Sequence, residues 1–397
     1  MDAFFVDLGR RVRARWQAAD FSLAAFPGLA QAALEENPPA AKVDVKALTR
    51  AFLREDEQAF QTASGFGQPE LVVFDDPRFY IQLLFWLDGT TQIHQHEFSG
   101  AFHVLEGSSL HSEFAFAHVR PVTAHFRLGD LQLTGTELLE TGRTMPITSS
   151  GGASIHSLFH LETPSITVVV RTHSDPGTGP QFTYLPPHVA VDPFFSDALT
   201  TRRLQLLDVL DRTGAEDFAE VVRTMVASLD YERGFFTLQN CLVALQERGE
   251  WEETWDVFAK KHGALAAYAA PTLEEIVWRD RLVSLRSSIE DTDHRFFLAL
   301  LLNVPRTSDL LAMVAQRFPG DPVDTVLAWA EELSEASDAG TWILDAKYPD
   351  EEADEGSEAP LDRFLGTLAR CLKGEAGATD TTRRAALAQS SLRALVA

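Results

Sequence analysis

Between residues 69 and 187 the sequence breaks into short runs of β-branched and aromatic residues, and this pattern limits the chain more than any other feature it carries. The runs at 71–74, 79–87, 101–105, 110–119, 123–128, 166–172 and 182–185 are too short for helices and have the composition of strands. Asp75-Asp76-Pro77, Leu87-Asp88-Gly89, Leu128-Gly129-Asp130 and Ser150-Gly151-Gly152 supply turn signals between them. That spacing predicts a single antiparallel β-sandwich or barrel.

The flanks follow a helical period. Phe4, Phe5, Leu8 and Val12 recur three and four residues apart, Pro38-Pro39 interrupts, and a second helix is expected over 45–54. Beyond residue 192 the period returns at 204–210, 218–225, 235–245 and 326–333, and Asp321-Pro322 reads as a cap followed by a first-turn proline. The expectation is an α+β chain in three parts: an N-terminal helical cap (1–68), a β-barrel (69–190) and an α-helical domain (191–397), built as a bundle or an array of helix pairs. Six acidic residues in the nine positions 350–358 read as a solvated loop.

With 58 acidic against 34 basic residues the formal charge is −24, which argues against nucleic acid and anionic membranes as partners. The longest apolar run, at 296–304, falls far short of the roughly 18 residues that span a bilayer. The first 17 residues mix Asp2 and Asp7 with four arginines and lack a signal-peptide core, so a cytoplasmic protein is expected. Cys241 and Cys371 have no zinc or disulfide spacing; Cys241 shares an apolar helical stripe with Phe235, Leu238 and Leu245 and reads as a core residue.

Ten of the 12 histidines lie between His94 and His188, inside the β region. In an extended segment residues two apart project from one face, so His94 and His96 can reach one metal ion. His156 is the natural third ligand from another strand, with His160, on the same side of that strand, as its rival. Glu97 follows His96 directly and points away unless a bulge intervenes. His103, His111, His118 and His125 read as ordinary surface or core positions.

At these residues the sequence resembles the cupin superfamily, small β-barrels whose first motif is a glycine, a His-x-His pair, a glutamate and a closing glycine. His94 and His96 match the pair and Gly107 the closing glycine, while Gly89 stands one residue nearer the pair than usual and Gly100 occupies the glutamate slot. The second motif is matched by Pro146, Gly151 or Gly152, and His156, with His160 where an asparagine often sits. Three histidines without the glutamate, and a strand ending in Trp86 that leads through a glycine turn to Ile93-His94-Gln95-His96, are similar to the cysteine dioxygenase-like branch. The resemblance covers residues 79–187 and implies Fe(II) held by three imidazoles, with dioxygen as co-substrate.

There are departures from that branch. The stretch 167–171 keeps only the hydroxyl of its serine, histidine and tyrosine pattern, Arg171 stands in the tyrosine slot, Ala101 replaces the cross-linking cysteine, and the upstream carboxylate-binding arginine has no match. Three neutral ligands leave the charge of Fe(II) uncompensated and favour an anionic donor such as a thiolate. Arg171, if it faces inward, pairs with a substrate carboxylate or phosphate. Tyr80 and His160, with Tyr184 and His173, are further candidates for orienting substrate or oxygen.

The leading expectation is therefore a mononuclear non-haem iron dioxygenase acting on a thiol or other small anionic molecule. One alternative is a cupin isomerase or lyase using Zn, Ni or Mn. Another is a non-catalytic, ligand-binding cupin whose helical domain meets a protein partner or forms a homodimer.

Overall fold

The computed structural model describes residues 2–54, 60–62, 66–87, 89–149, 154–335, 360–375, 377 and 381–396. The Ser150-Gly151-Gly152 turn with its motif glycines and the acidic run at 350–358 lie outside the described residues. Among the described residues no helix is long and apolar enough to cross a membrane.

Among the described residues ten strands form two antiparallel sheets. The first has the order β1 (Glu70–Asp76), β2 (Phe79–Trp86), β8 (Ser165–Thr172), β3 (Gly100–Glu106), β6 (Thr144–Ile147). The second runs β7 (Ile155–His160), β4 (Ser108–Pro121), β5 (Phe126–Glu140), β10 (Val189–Val191), β9 (Thr183–Leu185). A short segment around His94 makes isolated bridges to His156 on β7 and to Thr183 on β9. It therefore closes the second sheet on itself, leaving β7 and β9 no free edge at that height. The crossovers β2-β8-β3-β6 against segment-β7-β4-β5 are those of a jelly roll, the eight-stranded architecture of the cupins. The fold is α+β, a cupin-type barrel with helices before and after it.

Several strands are buried on both faces, which explains their near-continuous apolar sequences. On β8, Ile166, Val168 and Val170 pack outward with Phe79, Ile81 and Leu83 of β2. They meet Phe5, Leu8, Val12 and Trp16 of helix α1 (Ala3–Ala18) and Phe26, Ala30 and Leu34 of α2 (Phe26–Glu36). The alternate residues of both strands point into the barrel, where Leu84, Trp86 and Val169 join Phe102, Leu139 and Leu158 from across the interior. Asp2 caps α1 through Phe4 N, and Asp44 caps α3 (Val45–Phe52) through Ala47 N.

The outer face of the second sheet is covered by the later helices. Phe126, Leu128 and Val189 pack with Phe218 and Val222 of α5 (Phe218–Ser228) and with Phe235 and Leu238 of α6 (Tyr231–Glu247). Cys241 is buried in that cluster, its thiol pushed up to about 12 by desolvation, as befits a core residue. Further along, Leu110, Phe159 and Leu161 pack with α8 (Ala266–Ser288) and α9 (Thr292–Asn303). Two arginines reach from these helices to the end of β7. Arg286, fully buried, donates Nε to the His160 carbonyl at 2.8 Å. Arg295 donates Nη1 to the Leu161 carbonyl at 2.9 Å and to Thr163 Oγ1 at 2.8 Å. Carbonyls leaving a strand into a covered turn need donors that water cannot supply, and a guanidinium offers five.

Two sequence expectations are corrected. β5 does not end at Leu128 but continues to Glu140, because Gly129 is no turn: a Cβ there would lie 2.7 Å from both the Ala117 carbonyl and the Phe116 ring. Residues 123–125 form the turn before β5 instead of its first residues. At the other end of the chain, Asp321 does cap α11 (Pro322–Glu335), accepting from Val323 N at 2.8 Å.

Phe79 is fully buried and touches the rings of Trp16, Phe26 and Phe74, so it holds the first helices to the barrel. Phe79→Ala is expected to cost about 3–5 kcal/mol of unfolding free energy, measured by urea titration. A loss below about 1 kcal/mol would mean that this helix-to-sheet core is not built as described.

Candidate metal centre

The segment carrying His94 and His96 is held between β7 and β9 by main-chain bonds. His94 N donates to the His156 carbonyl and His156 N to the His94 carbonyl, each at 2.9 Å. On the other side Gln95 N donates to the Phe182 carbonyl and Tyr184 N to the Ile93 carbonyl. Thr91 extends the zip through a further bond to the Leu158 carbonyl. These bonds bring the imidazoles of His94, His96 and His156 together inside the barrel, edge-on or tilted to one another.

One ligand nitrogen from each of these three buried histidines lies within 4.8 Å of the others, and this is the one such group among the described residues. His94 directs Nδ1 to the Gln92 carbonyl at 2.7 Å, which leaves its Nε2, buried and without a partner, for an ion. His156 directs Nδ1 to His111 Nε2 at 2.9 Å. Its Nε2 stands 2.9 Å from His96 Nε2. Two imidazole nitrogens about 2.1 Å from one ion and at right angles to each other are about 3.0 Å apart, so the spacing suits adjacent positions on a first-row metal. Outer nitrogens engaged by a carbonyl and by a second ring fix tautomer and ring orientation, as metal-binding histidines require.

Burial also sets the charge. Desolvation lowers His94 to about 4, and it holds His96 and His156 well below the ordinary imidazole value, with mutual repulsion among the rings adding to the effect. At neutral pH all three are lone-pair donors. The donor set fits a divalent cation, which would satisfy the orphaned nitrogen and the opposed Nε2 pair together.

The missing glutamate has a steric cause. Gly100 pairs with Arg171, and a Cβ built on it would lie 2.1 Å from the Val170 carbonyl oxygen. No side chain of any kind fits there. Glu97, the other carboxylate near the pair, faces the cavity mouth and accepts from Ser174 Oγ at 2.9 Å. It is not among the converging ligand atoms.

The histidines line a cavity of about 690 Å3. Arg171, Tyr80, Gln82 and Trp86 share its wall with Phe98, Phe102 and Val169. Arg171 thus points inward, its guanidinium carbon 3.4 Å from the Phe98 ring centroid and 5.0 Å from that of Tyr80. Burial raises the Tyr80 phenol above its ordinary value, with Arg171 opposing the shift. His160 faces inward too, but it lies about 13 Å along β7 from His156 at ordinary strand rise. There it stacks on Trp86 and bonds Ser109 Oγ at 2.8 Å, outside the histidine cluster. His173 sits against Tyr80 at the rim, and Tyr184 bonds Gln95 behind the ligand segment.

Sequence reasoning passed over two residues here. His111, read as an ordinary position, holds the Nδ1 of His156 through its own Nε2; the β4–β7 register that brings them together has no local signal. Gln82 was hidden in an apolar strand, and its polarity among Ile81, Leu83 and Leu84 was the available clue.

A cupin-type jelly roll enclosing three convergent histidines is the class that strand order and site define. No family model matches the sequence, and no curated protein matches it. Solved structures give distant likenesses. One is an uncharacterised protein with a double-stranded β-helix domain from Klebsiella pneumoniae, 14% identical, covering 30% of this chain and 95% of its own, at a TM-score of 0.20. DMSP lyase DddQ from Ruegeria pomeroyi is 15% identical over 45% of this chain and 95% of its own, with a TM-score of 0.23. The hydroquinone 1,2-dioxygenase PnpCD is 13% identical over 31% of this chain and 84% of its own, with a TM-score of 0.21.

Two outcomes follow. Gly100→Ala should destabilise the fold by about 3 kcal/mol through overpacking, and Gly100→Glu should fail to add a ligand, both read by denaturation and metal titration. Tolerance of either would contradict the close approach of β3 and β8. The second concerns pH. His94, His103 and His111 are lowered by burial to about 4 and His160 to about 3, so the unfolded chain takes up their protons first as pH falls. Their contribution is complete above about pH 6.5 and drains away toward the folded-state values, at up to about 1.4 kcal/mol per pH unit for each histidine. Urea midpoints of the metal-free protein should therefore drop from pH 7 to pH 5; equal midpoints would refute the buried neutral state.

Proposed function

We propose that this chain is a mononuclear non-haem iron oxygenase of the three-histidine cupin type, with His94, His96 and His156 as the metal ligands. The observation that carries this reading is the convergence of three buried, neutral imidazoles within 4.8 Å on the wall of a cavity of about 690 Å3. Bound Fe(II) supplies open coordination positions and a redox couple for dioxygen.

The chain's own residues supply the rest. Three neutral donors leave the ion's double charge uncompensated, and the closed slot at Gly100 keeps it so, which favours an anionic donor in an open position. Arg171 places a second positive charge along the same wall, and Tyr80 presents a phenol that burial keeps protonated, suited to donating a hydrogen bond. The apolar walls formed by Leu84, Trp86 and Phe102 exclude water and strengthen these charges. His160 acts as a positioning residue, holding Trp86 by stacking.

Imidazole suits several first-row metals, so the same site loaded with Zn, Ni or Mn would serve an isomerase or lyase. Anaerobic reconstitution with each metal, followed by metal analysis and oxygen uptake, separates these. The expected result is one iron per chain, oxygen consumption that depends on an organic anion, and at least 100-fold weaker iron binding in His156→Ala. Iron bound without substrate-dependent oxygen uptake would shift the site to the isomerase or lyase reading. Metal binding unaffected by removing His94 and His96 would end both and leave a ligand-binding barrel.

A further inference from the structure

The cavity is larger and more apolar than a small thiol requires. Pockets of about 300–1,000 Å3 enclose drug-sized molecules, and this one, at about 690 Å3, is walled largely by Phe66, Leu84, Phe98, Phe102, Leu158 and Val169. Binding a molecule the size of cysteine would leave most of that apolar surface facing water.

Against this apolar ground one charged group on the inward face of β8 lacks what a ligand would bring. Arg171 lies flat on Phe98, with Nε donating to the Thr172 carbonyl at 3.2 Å and Nη2 to that of His173 at 3.0 Å. Those bonds fix the guanidinium in place, yet among the described residues no carboxylate forms an ion pair with it. The carboxylates on the cavity lining, Glu70 and Glu97, accept instead from Thr62 and Ser174. A fixed, unpaired guanidinium is a carboxylate receptor by geometry and charge.

We propose that the cavity takes an amphipathic monocarboxylate, an arylalkyl or long-chain acid whose carboxylate pairs with Arg171 and whose apolar body fills the space between that residue and the three histidines. As substrate this molecule rests on the metal reading above; as ligand it does not.

The test is calorimetric titration of the full chain, metal-free and iron-loaded under anaerobic conditions, with four probes. These are 8-phenyloctanoate, 8-phenyloctanol, 3-mercaptopropionate and L-cysteine. The expected result is that 8-phenyloctanoate binds at least tenfold more tightly than each of the others. Arg171→Met should bring the acid down to the level of the alcohol, with circular dichroism and the urea midpoint of the variant showing that it is folded, and Arg171→Lys should restore part of the difference. Equal binding of acid and alcohol by the unmodified protein, or small thiols binding as tightly as the arylalkyl acid, would overturn the proposal. Metal content measured on the same samples keeps the two readings apart. Acid binding by a protein that takes up no metal removes the oxygenase reading and leaves the cavity assignment, whereas metal uptake without acid preference does the reverse.

Discussion

Two reciprocal main-chain hydrogen bonds between His94 and His156 are the interaction on which the rest of this molecule depends. They join parts of the chain 62 residues apart, and they do so at the ligand positions themselves instead of beside them. Everything that orders β7 on one side, or residues 91–96 on the other, therefore also sets the spacing of the imidazoles. The Thr91 bonds to Leu158, the β4–β7 ladder and the Tyr184–Ile93 bond all act on that one juncture. An ion held by these three histidines would meet a pre-organised site, because the closed sheet already orders them.

The close packing of β3 on β8 has an equally direct bearing on chemistry. Gly100 admits the Val170 carbonyl where a ligand-bearing side chain would stand, so the all-nitrogen donor set is a property of the backbone. Reversing it would take a shift of one strand against the other. The same β8 turns Arg171 into the cavity, so the strand that closes the position of Gly100 also places a positive charge on the cavity wall.

Much of this was legible from residue order. The short β-branched and aromatic runs of β2, β3 and β8 and the His94, His96, His156 triplet could be read because strand composition and donor chemistry are local. The later strands were harder. β7 was recognised only through its histidines, since Ser157 and the inward His156 and His160 break the apolar alternation that marks a strand. Functional residues commonly break local rules in this way. β10 has three residues and no pattern to detect, and Gly129 imitated a turn because close backbone approach and chain reversal both select glycine. Whether Arg171 faced the cavity or the solvent was open on sequence grounds. The β2–β8 register decides it, and so does the Phe98 ring beneath the guanidinium.

Arg286 and Arg295 give the helices after the barrel a further meaning. Both lie almost wholly out of water and spend their donors on the carbonyls and hydroxyl that follow β7, beside Phe159 and Leu161, whose side chains are sunk among α8 and α9. Cut away from those helices, the strand bearing the third imidazole would end in bare acceptors and an uncovered apolar patch. The wall that carries His156 is thus completed by side chains of the helical half, which supply both its donors and its apolar cover.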